Sequence, residues 1–218
     1  MKDLPVVYED PELIAINKSA GIAVQGGQGI KTCVLDILER QTGGKVYPVH
    51  RLDRDTAGIL LVARSADAAR ALTERITSGA LVKKYQAVCF GRPQNPSGTI
   101  REEAGRAGER KPALTLYRTL SSSDGLSLLE MEIKTGRMHQ IRMHLAGLGN
   151  PVVADDKYGD FPRNREARSR WQVRKLQLAA VYLALEWQGK PLELSIPLPD
   201  HMTSLVAAAG LSGKILNP

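Results

Sequence analysis

The chain has 218 residues, 43% of them hydrophobic and 24% charged, which is an ordinary globular composition and excludes a disordered chain. Lys and Arg number 30 against 23 Asp and Glu, a net charge of +7 that favours polyanionic partners, nucleic acid first. Two cysteines, Cys33 and Cys89, exclude a disulfide framework and a Cys-rich zinc site.

In chain order, Leu4 to Tyr8 and Leu13 to Asn17 flank Glu9-Asp10-Pro11-Glu12 and predict a hairpin. A helix is expected from Thr32 to Gln41, stopped near Gly43. The continuous apolar run Ile59 to Ala63 predicts a strand buried on both faces. A second helix is expected over Ala66 to Ser78, ending at Gly79, and a strand over Leu81 to Phe90. Pro93 to Pro112 holds most of the weakly structured composition and reads as a long loop or flexible hairpin. A strand at Leu126 to Ile133 precedes a helix at Met138 to Leu148 closed by Gly149. Phe161 to Arg170 (FPRNREARSR) reads as a basic loop, either solvated or contacting phosphates, and Leu176 to Trp187 as a last strand. Interleaved elements with hairpins predict one α+β domain over residues 1–218, with a mixed, mainly antiparallel sheet flanked by helices.

No apolar run reaches the ~20 residues of a membrane span. The opening MKDLPVVYEDPELIAI carries acids where an export signal needs basic and then apolar residues, so a cytoplasmic protein without a membrane partner is expected. A metal site is not expected either. His139 and His144 are five apart, about 140° around a helix, and do not converge on one ion. The glycines at 26, 27 and 29 do not fall in the frame of a phosphate loop, and no nucleophile elbow is present.

Two stretches carry the chemistry. His50-Arg51-Leu52-Asp53-Arg54-Asp55-Thr56-Ala57-Gly58 places two carboxylates and two guanidiniums directly ahead of the buried strand, where a rigid scaffold can hold a functional loop. Thr135 to Leu145 gathers Arg137, His139, Gln140 and Arg142 at a helix start. Cations are disfavoured there by the helix dipole, so a nearby carboxylate or phosphate is expected. From these residues alone, Asp53 and Asp55 cannot be told apart as the working acid.

The two stretches together resemble the RluA family of RNA pseudouridine synthases. HRLDRDTAGILLV is similar to that family's HRLDxxTSGLLL motif, and TGRMHQIRMHLAGLGNPVVADDKYG to its TGRxHQIRxHL…G…PxxGDxxYG block. ELIAINKSAGIAVQGG resembles the family's opening segment, and LVKKYQAVCFG its KxYxAxVxG strand. The similarity runs from about Pro5 to Leu185, with the motifs in the family's order. The chain departs from the pattern at Ser19, Ala57, Met138, Ala154 and Ala179.

The resemblance implies a pseudouridine synthase-like fold with a catalytic cleft, and a compact member acting on ribosomal RNA, transfer RNA or both. It implies an isomerase that needs no cofactor or metal; nothing in the sequence suggests more than a monomer. By motif position, Asp53 is the nucleophile or base. Arg142 pairs with it and keeps it ionised, and Tyr85 stacks on the target base. The uridine must be flipped out of the folded RNA, and Arg51 is the residue implied to fill its place. Lys18, Lys84, Arg137, His139, Arg163, Arg165 and Arg168 are the expected RNA contacts. A silent RNA-binding or RNA-folding factor on the same scaffold is the alternative, opposed by the intact Asp53, Tyr85 and Arg142. A carboxylate-based hydrolase or lyase of small molecules would leave the +7 charge unexplained.

Overall fold

The structure is a computed structural model that describes residues 3–212. Along the chain run β1 (Val6–Glu9), β2 (Leu13–Lys18), α1 (Val34–Thr42), β3 (Tyr47–Pro48), β4 (Ala57–Ala63) and α2 (Ala66–Thr77). Then come β5 (Val82–Phe90), β6 (Ser97–Ala104), β7 (Lys111–Ser123), β8 (Leu126–Ile133) and α3 (Gln140–Gly147). The chain ends with α4 (Phe161–Trp171), β9 (Leu178–Trp187), β10 (Lys190–Ser195) and α5 (Asp200–Ala208). This is the expected α+β architecture, strands in mostly antiparallel pairs with helices against them. It divides into two compact units, Met1–Val82 with Val181–Ile196, and Lys83–Ala180 with Pro197–Pro218.

In the first unit the strand order is β1, β2, β4 and β9, with β10 on β9 and β3 on β4. The β1–β2 hairpin forms as predicted, because Asp10 organises its turn. The Asp10 carboxylate accepts from the Glu12 and Leu13 amides at 2.8 and 2.7 Å, and from Tyr8 Oη and Trp187 Nε1 at 2.8 Å each. All seven residues of β4 are buried, as a continuous apolar run requires. Leu13, Ile59, Leu61, Leu72, Leu183 and Trp187 pack into one core beneath α2. Each fully buried leucine there contributes about 1.5–3 kcal/mol. β2 and β4 pair from Leu13↔Ala63 to Lys18↔Gly58, so the end of β2 meets the start of β4. The loop carrying Asp53 enters at that point.

In the second unit β5 pairs with β8, β8 with β7, and β7 with β6, all antiparallel. Asp124 and Gly125 join β7 to β8 with φ of 53° and 72°, the two positive angles that a tight hairpin turn demands. Of the long loop or flexible hairpin expected at 93–112, the structure has the hairpin: β6 and β7 pair from Ser97↔Arg118 to Ala104↔Lys111. Ile100, Ala104, Ala113 and Tyr117 bury its inner face. The Tyr117 ring lies 2.8 Å from where a Cβ on Gly98 would stand.

The basic loop expected at 161–170 is corrected: it is helix α4. Asp160 caps it by accepting from the Arg163 amide at 3.1 Å, a proline sits in its first turn, and Ala167 is buried beneath it. Its arginines hide the helical period, since they occupy both the inner and the outer face. Among the described residues, no helix is long and apolar enough to cross a membrane.

Candidate active site

In the first unit, the loop from Arg51 to Thr56 is held from several sides. Leu52 and Thr56 are buried, and the Thr56 amide donates to Asp53 O at 3.2 Å, closing a turn. His50 Nε2 accepts the Leu61 amide at 2.9 Å, and the Gly21 amide donates to Arg54 O at 2.9 Å. Gly58, with φ of 115°, lets the chain leave this turn for β4 in a conformation that a side chain would oppose. Asp53 and Asp55 are half-buried, while Arg51 and Arg54 are exposed. Asp55 pairs with Arg54 at 3.5 Å.

Lys18 stands beneath this loop. It is fully buried, and its ammonium donates to Ser19 O, Ile22 O and Arg54 O at 3.1, 2.8 and 2.9 Å. Burial pushes its pKa down to about 8, against the opposing pull of the Asp55 and Asp53 carboxylates. The expectation that Lys18 contacts RNA phosphates is therefore corrected. All three of its donors serve backbone carbonyls, which tie the Ser19–Ile22 turn to the aspartate loop.

In the second unit, Tyr85 lies on β5 opposite Met131 and is buried. Lys84, its neighbour, is half-buried opposite Glu132. Lys83 shares the face of Tyr85, two residues away. Burial lowers its pKa, and the ammonium makes no hydrogen bond or ion pair among the described residues. It lies 3.7 Å from the position of a Cβ on Gly136. Sequence reasoning named Lys84 and missed Lys83, although Lys83 is the lysine of the KxY motif.

The segment after β8 is fixed by Gln140. Its Oε1 accepts from Thr135 Oγ1 at 2.7 Å and the Arg137 amide at 3.1 Å, while Nε2 donates to Leu114 O and Thr115 Oγ1 at 3.0 Å each. His144 continues the network to Thr115 Oγ1 at 2.9 Å and Glu102 O at 3.3 Å, and burial lowers its pKa. Arg137 is exposed and donates to Pro112 O at 3.4 Å. His139 precedes α3 in the left-handed region, and its Nδ1 lies 3.0 Å from Tyr158 Oη. The two histidines serve separate partners, and no metal-holding group of His, Cys, Asp or Glu occurs among the described residues.

Arg142 is the best-held cation of this unit. Its Nε and Nη2 donate to the two oxygens of Asp155 at 2.7 and 2.6 Å, with Asp156 at 3.0 Å from Nη2. The side chains of Arg142 and Asp155 are 5% and 1% exposed, so this is a buried two-pronged ion pair. Burial would raise the Asp155 pKa. The Arg142 donors and the Tyr158 and Lys157 amides outweigh it and hold the carboxyl below its ordinary value. The Arg142 guanidinium also stacks 5.3 Å from the centre of the Tyr158 ring.

The anion expected near the start of α3 is thus supplied by Asp155 and Asp156, which sequence reasoning did not name. Its signal was the acid of the PxxGDxxYG block. Of the arginines in α4, Arg163 is half-buried over the Phe90 ring at 4.4 Å and donates to Gly125 O at 3.1 Å, so its expected contact with RNA is corrected to an anchor of the helix, whereas Arg165 and Arg168 are exposed.

Residues 12–147 match the protein family described as RNA pseudouridylate synthase. The chain is 35% identical over 213 residues to the ribosomal large subunit pseudouridine synthase C of Rickettsia prowazekii, covering 91% of this chain and 69% of that protein. It is 32% identical over 239 residues to the tRNA pseudouridine synthase C of Salmonella typhimurium, covering 97% and 92%. Among solved structures, human RNA pseudouridylate synthase domain containing 4 superposes with a TM-score of 0.82 at 26% identity, covering 94% of this chain and 93% of that one.

Proposed function

The chain belongs to the RNA pseudouridylate synthase family, and on that premise we propose how its residues carry out the isomerisation. It is an RNA pseudouridine synthase, an isomerase acting on uridine in RNA. The reaction breaks the bond from ribose C1′ to uracil N1 and forms one from C1′ to C5. The C5 proton leaves and N1 gains one, so atoms and electrons balance within the nucleotide.

Asp53 is our nucleophile or base. The motif position chooses Asp53 over Asp55, and the observation that supports either as the acid is the loop itself: both are half-buried on a turn pinned by Lys18, whose ammonium feels the charge of Asp55 and then of Asp53. The Lys18 ammonium, bonded to Arg54 O, places a positive charge beneath the loop that presents Asp53. Tyr85 offers the aromatic face for the uracil, and the family resemblance assigns Arg142 to the support of the acid. Arg51, exposed beside Asp53, fills the space left by the flipped base. Lys84, Arg137, His139, Arg165 and Arg168 contact the RNA. The substrate is ribosomal or transfer RNA, as in the names of the two relatives, and one catalytic domain works as a cytoplasmic monomer.

The test is pseudouridine formation in ribosomal and transfer RNA by wild type, Asp53→Asn and Asp55→Asn. Asp53→Asn should bind RNA and form no pseudouridine, with Asp55→Asn much milder. A dead Asp55→Asn beside an active Asp53→Asn would show the acid to be misassigned. A wild type that binds RNA without forming pseudouridine would favour a silent RNA-binding factor.

A further inference from the structure

Helix α4 turns two opposite faces in two opposite directions. Arg163, Ala167 and Arg170 follow the i, i+4, i+7 spacing and share one face, an arc of about 60° at 100° per residue. That face is anchored. Arg163 Nη2 donates to Gly125 O at 3.1 Å, Arg170 pairs with Asp124 at 2.7 Å, and Ala167 is 1% exposed. Phe161, Arg165 and Arg168 follow the same spacing about 200° away, on the opposite side of the helix. Phe161 is 54% exposed, more than any other exposed large hydrophobic residue described. Arg165 and Arg168 are exposed and make no hydrogen bond or ion pair among the described residues.

We propose that Phe161, Arg165 and Arg168 form a binding stripe for an unpaired stretch of RNA outside the catalytic residues, with one base stacked on Phe161 and two phosphates on the arginines. The inference rests on the RNA-modifying reading above and deepens it. Charge complementarity selects the occupant. Two unsatisfied guanidiniums suit a polyanion, and an exposed aromatic ring between solvent and a basic face suits the flat surface of a base. A duplex would hide its bases from Phe161 and offer only phosphates, so a single strand matches all three residues.

The stripe is also held rigidly with respect to Arg142. Asn164, on the same helix, donates from Nδ2 to Asp155 O at 2.9 Å and accepts the Ala154 amide on Oδ1 at 2.8 Å. Gly159 closes this junction: a Cβ there would lie 2.2 Å from Asp155 O and 2.7 Å from Asn164 Nδ2. One side chain therefore ties α4 to the loop that grips Arg142. An RNA strand on the stripe is registered against that arginine, so the contact contributes to which uridine is presented.

The experiment measures binding of a mixed-sequence single-stranded RNA oligonucleotide, and of its duplex, across a salt series. The proteins are wild type, Phe161→Ala, Phe161→Leu and Arg165→Ala/Arg168→Ala, each checked for an unchanged melting temperature. Phe161→Ala and Phe161→Leu should weaken single-strand binding about 5- to 140-fold and leave the duplex nearly unaffected. The double arginine variant should flatten the salt dependence for the single strand by about 1.4 in slope, two contacts at roughly 0.7 each. Wild-type single-strand affinity in Phe161→Ala, or a wild-type slope in the double variant, overturns the stripe. Sedimentation with phosphatidylglycerol vesicles that is lost in Phe161→Ala, with RNA binding unchanged, overturns it in favour of a membrane surface. A wild type showing the expected pattern but no pseudouridine formation overturns the enzymatic reading and supports the stripe alone.

Discussion

Replacing Asp155 by Asn tests the pair that holds Arg142. In the native site Oδ1 accepts Arg142 Nη2 at 2.6 Å and the Lys157 and Tyr158 amides at 2.9 Å, while Oδ2 accepts Arg142 Nε at 2.7 Å. Asparagine has one acceptor oxygen. Placed on the Oδ1 side, it keeps three of these bonds and turns Nδ2, a donor, against Nε. The site loses a charge-assisted hydrogen bond, about 1.5–3 kcal/mol, and gains an opposed donor pair inside a protein interior. Asp156, 83% exposed, recovers at most about 1 kcal/mol. The net cost is about 3–4 kcal/mol, within the range for breaking a buried ion pair on one side. For a chain of this size that corresponds to a melting temperature lowered by about 6–16 °C. The pH dependence supplies a second readout. The Asp155 pKa is depressed in the folded state, so its stabilisation is present above the ordinary value of 3.8 and is lost as pH falls through the lower folded value. Asp155→Asn should lack that part of the acid transition. Thermal unfolding followed by circular dichroism, repeated from neutral to acid pH, measures both. A loss of less than about 1 kcal/mol with an unchanged acid profile would refute the claim that Asp155 is the principal holder of Arg142.

Tyr85 should separate stacking from packing. Tyr85→Phe should keep most of the RNA affinity, and Tyr85→Ala should lose about 1–3 kcal/mol of it together with about 3–5 kcal/mol of stability from the vacated core position. A Tyr85→Phe enzyme that binds normally and turns over very slowly would show that the hydroxyl has a chemical part. Lys18→Met should lower stability by about 2–3 kcal/mol at neutral pH, because Ser19 O, Ile22 O and Arg54 O lose their donor. The sign of its pH effect is the same as that of Asp155, since both pKa values fall on folding, but it acts in the alkaline range. The Lys18 pKa falls from 10.5 to about 8 on folding, so between those values the unfolded chain binds more protons and stability rises with pH. Urea titrations at pH 7, 8 and 10 should show that rise in wild type and not in Lys18→Met, and a rise of equal size in both would remove Lys18 as its source.

Sequence reasoning reached furthest where a single physical signal dominates. The run Ile59 to Ala63 could only be a strand buried on both faces, and Gly43, Gly79 and Gly149, all with positive φ, marked three helix ends. It fell short where residues serve more than one end. In α4 the arginines that dock the helix and those that face solvent look alike in sequence, so no apolar stripe announces the helix. In β6 and β7 the apolar positions are few and short, so the sequence leaves loop and hairpin both open, and pairing across the hairpin decides between them. At the site, Lys18 is named as an RNA contact by the family resemblance alone. Its burial follows from the register that sets it opposite Gly58, which no local pattern records. Asp155 was visible as a motif letter, but its partner lies thirteen positions back in the chain, and only the folded turn brings them together.

Backbone strain explains why that turn takes the form it does. Among the described residues, five that are not glycine have positive φ, and three of them, Asp124, Gln172 and Gln188, lie in hairpin turns or at the end of a helix. The other two, His139 at 56° and Ala154 at 59°, bracket the Arg142–Asp155 pair. Such a conformation costs roughly 1–3 kcal/mol and persists only where the surroundings over-determine it. His139 is fixed by Tyr158, and the ring of that tyrosine in turn lies under the Arg142 guanidinium. Ala154 has no side chain to help, and it stands where the family pattern carries glycine. Its amide is held by Asn164 Oδ1, and the carbonyl of the next residue by Asn164 Nδ2, so one side chain clamps the strained residue from both sides. The strain is thus concentrated on the two segments that deliver and hold Arg142, and it is borne by contacts reaching into α4. A guanidinium fixed in rotation as well as in charge needs such a frame, because hydrogen-bonding geometry, unlike attraction, is lost with a shift of a few tenths of an ångström. The glycine of the family pattern adopts the turn without strain; in this chain Asn164 supplies by contact what alanine lacks in freedom.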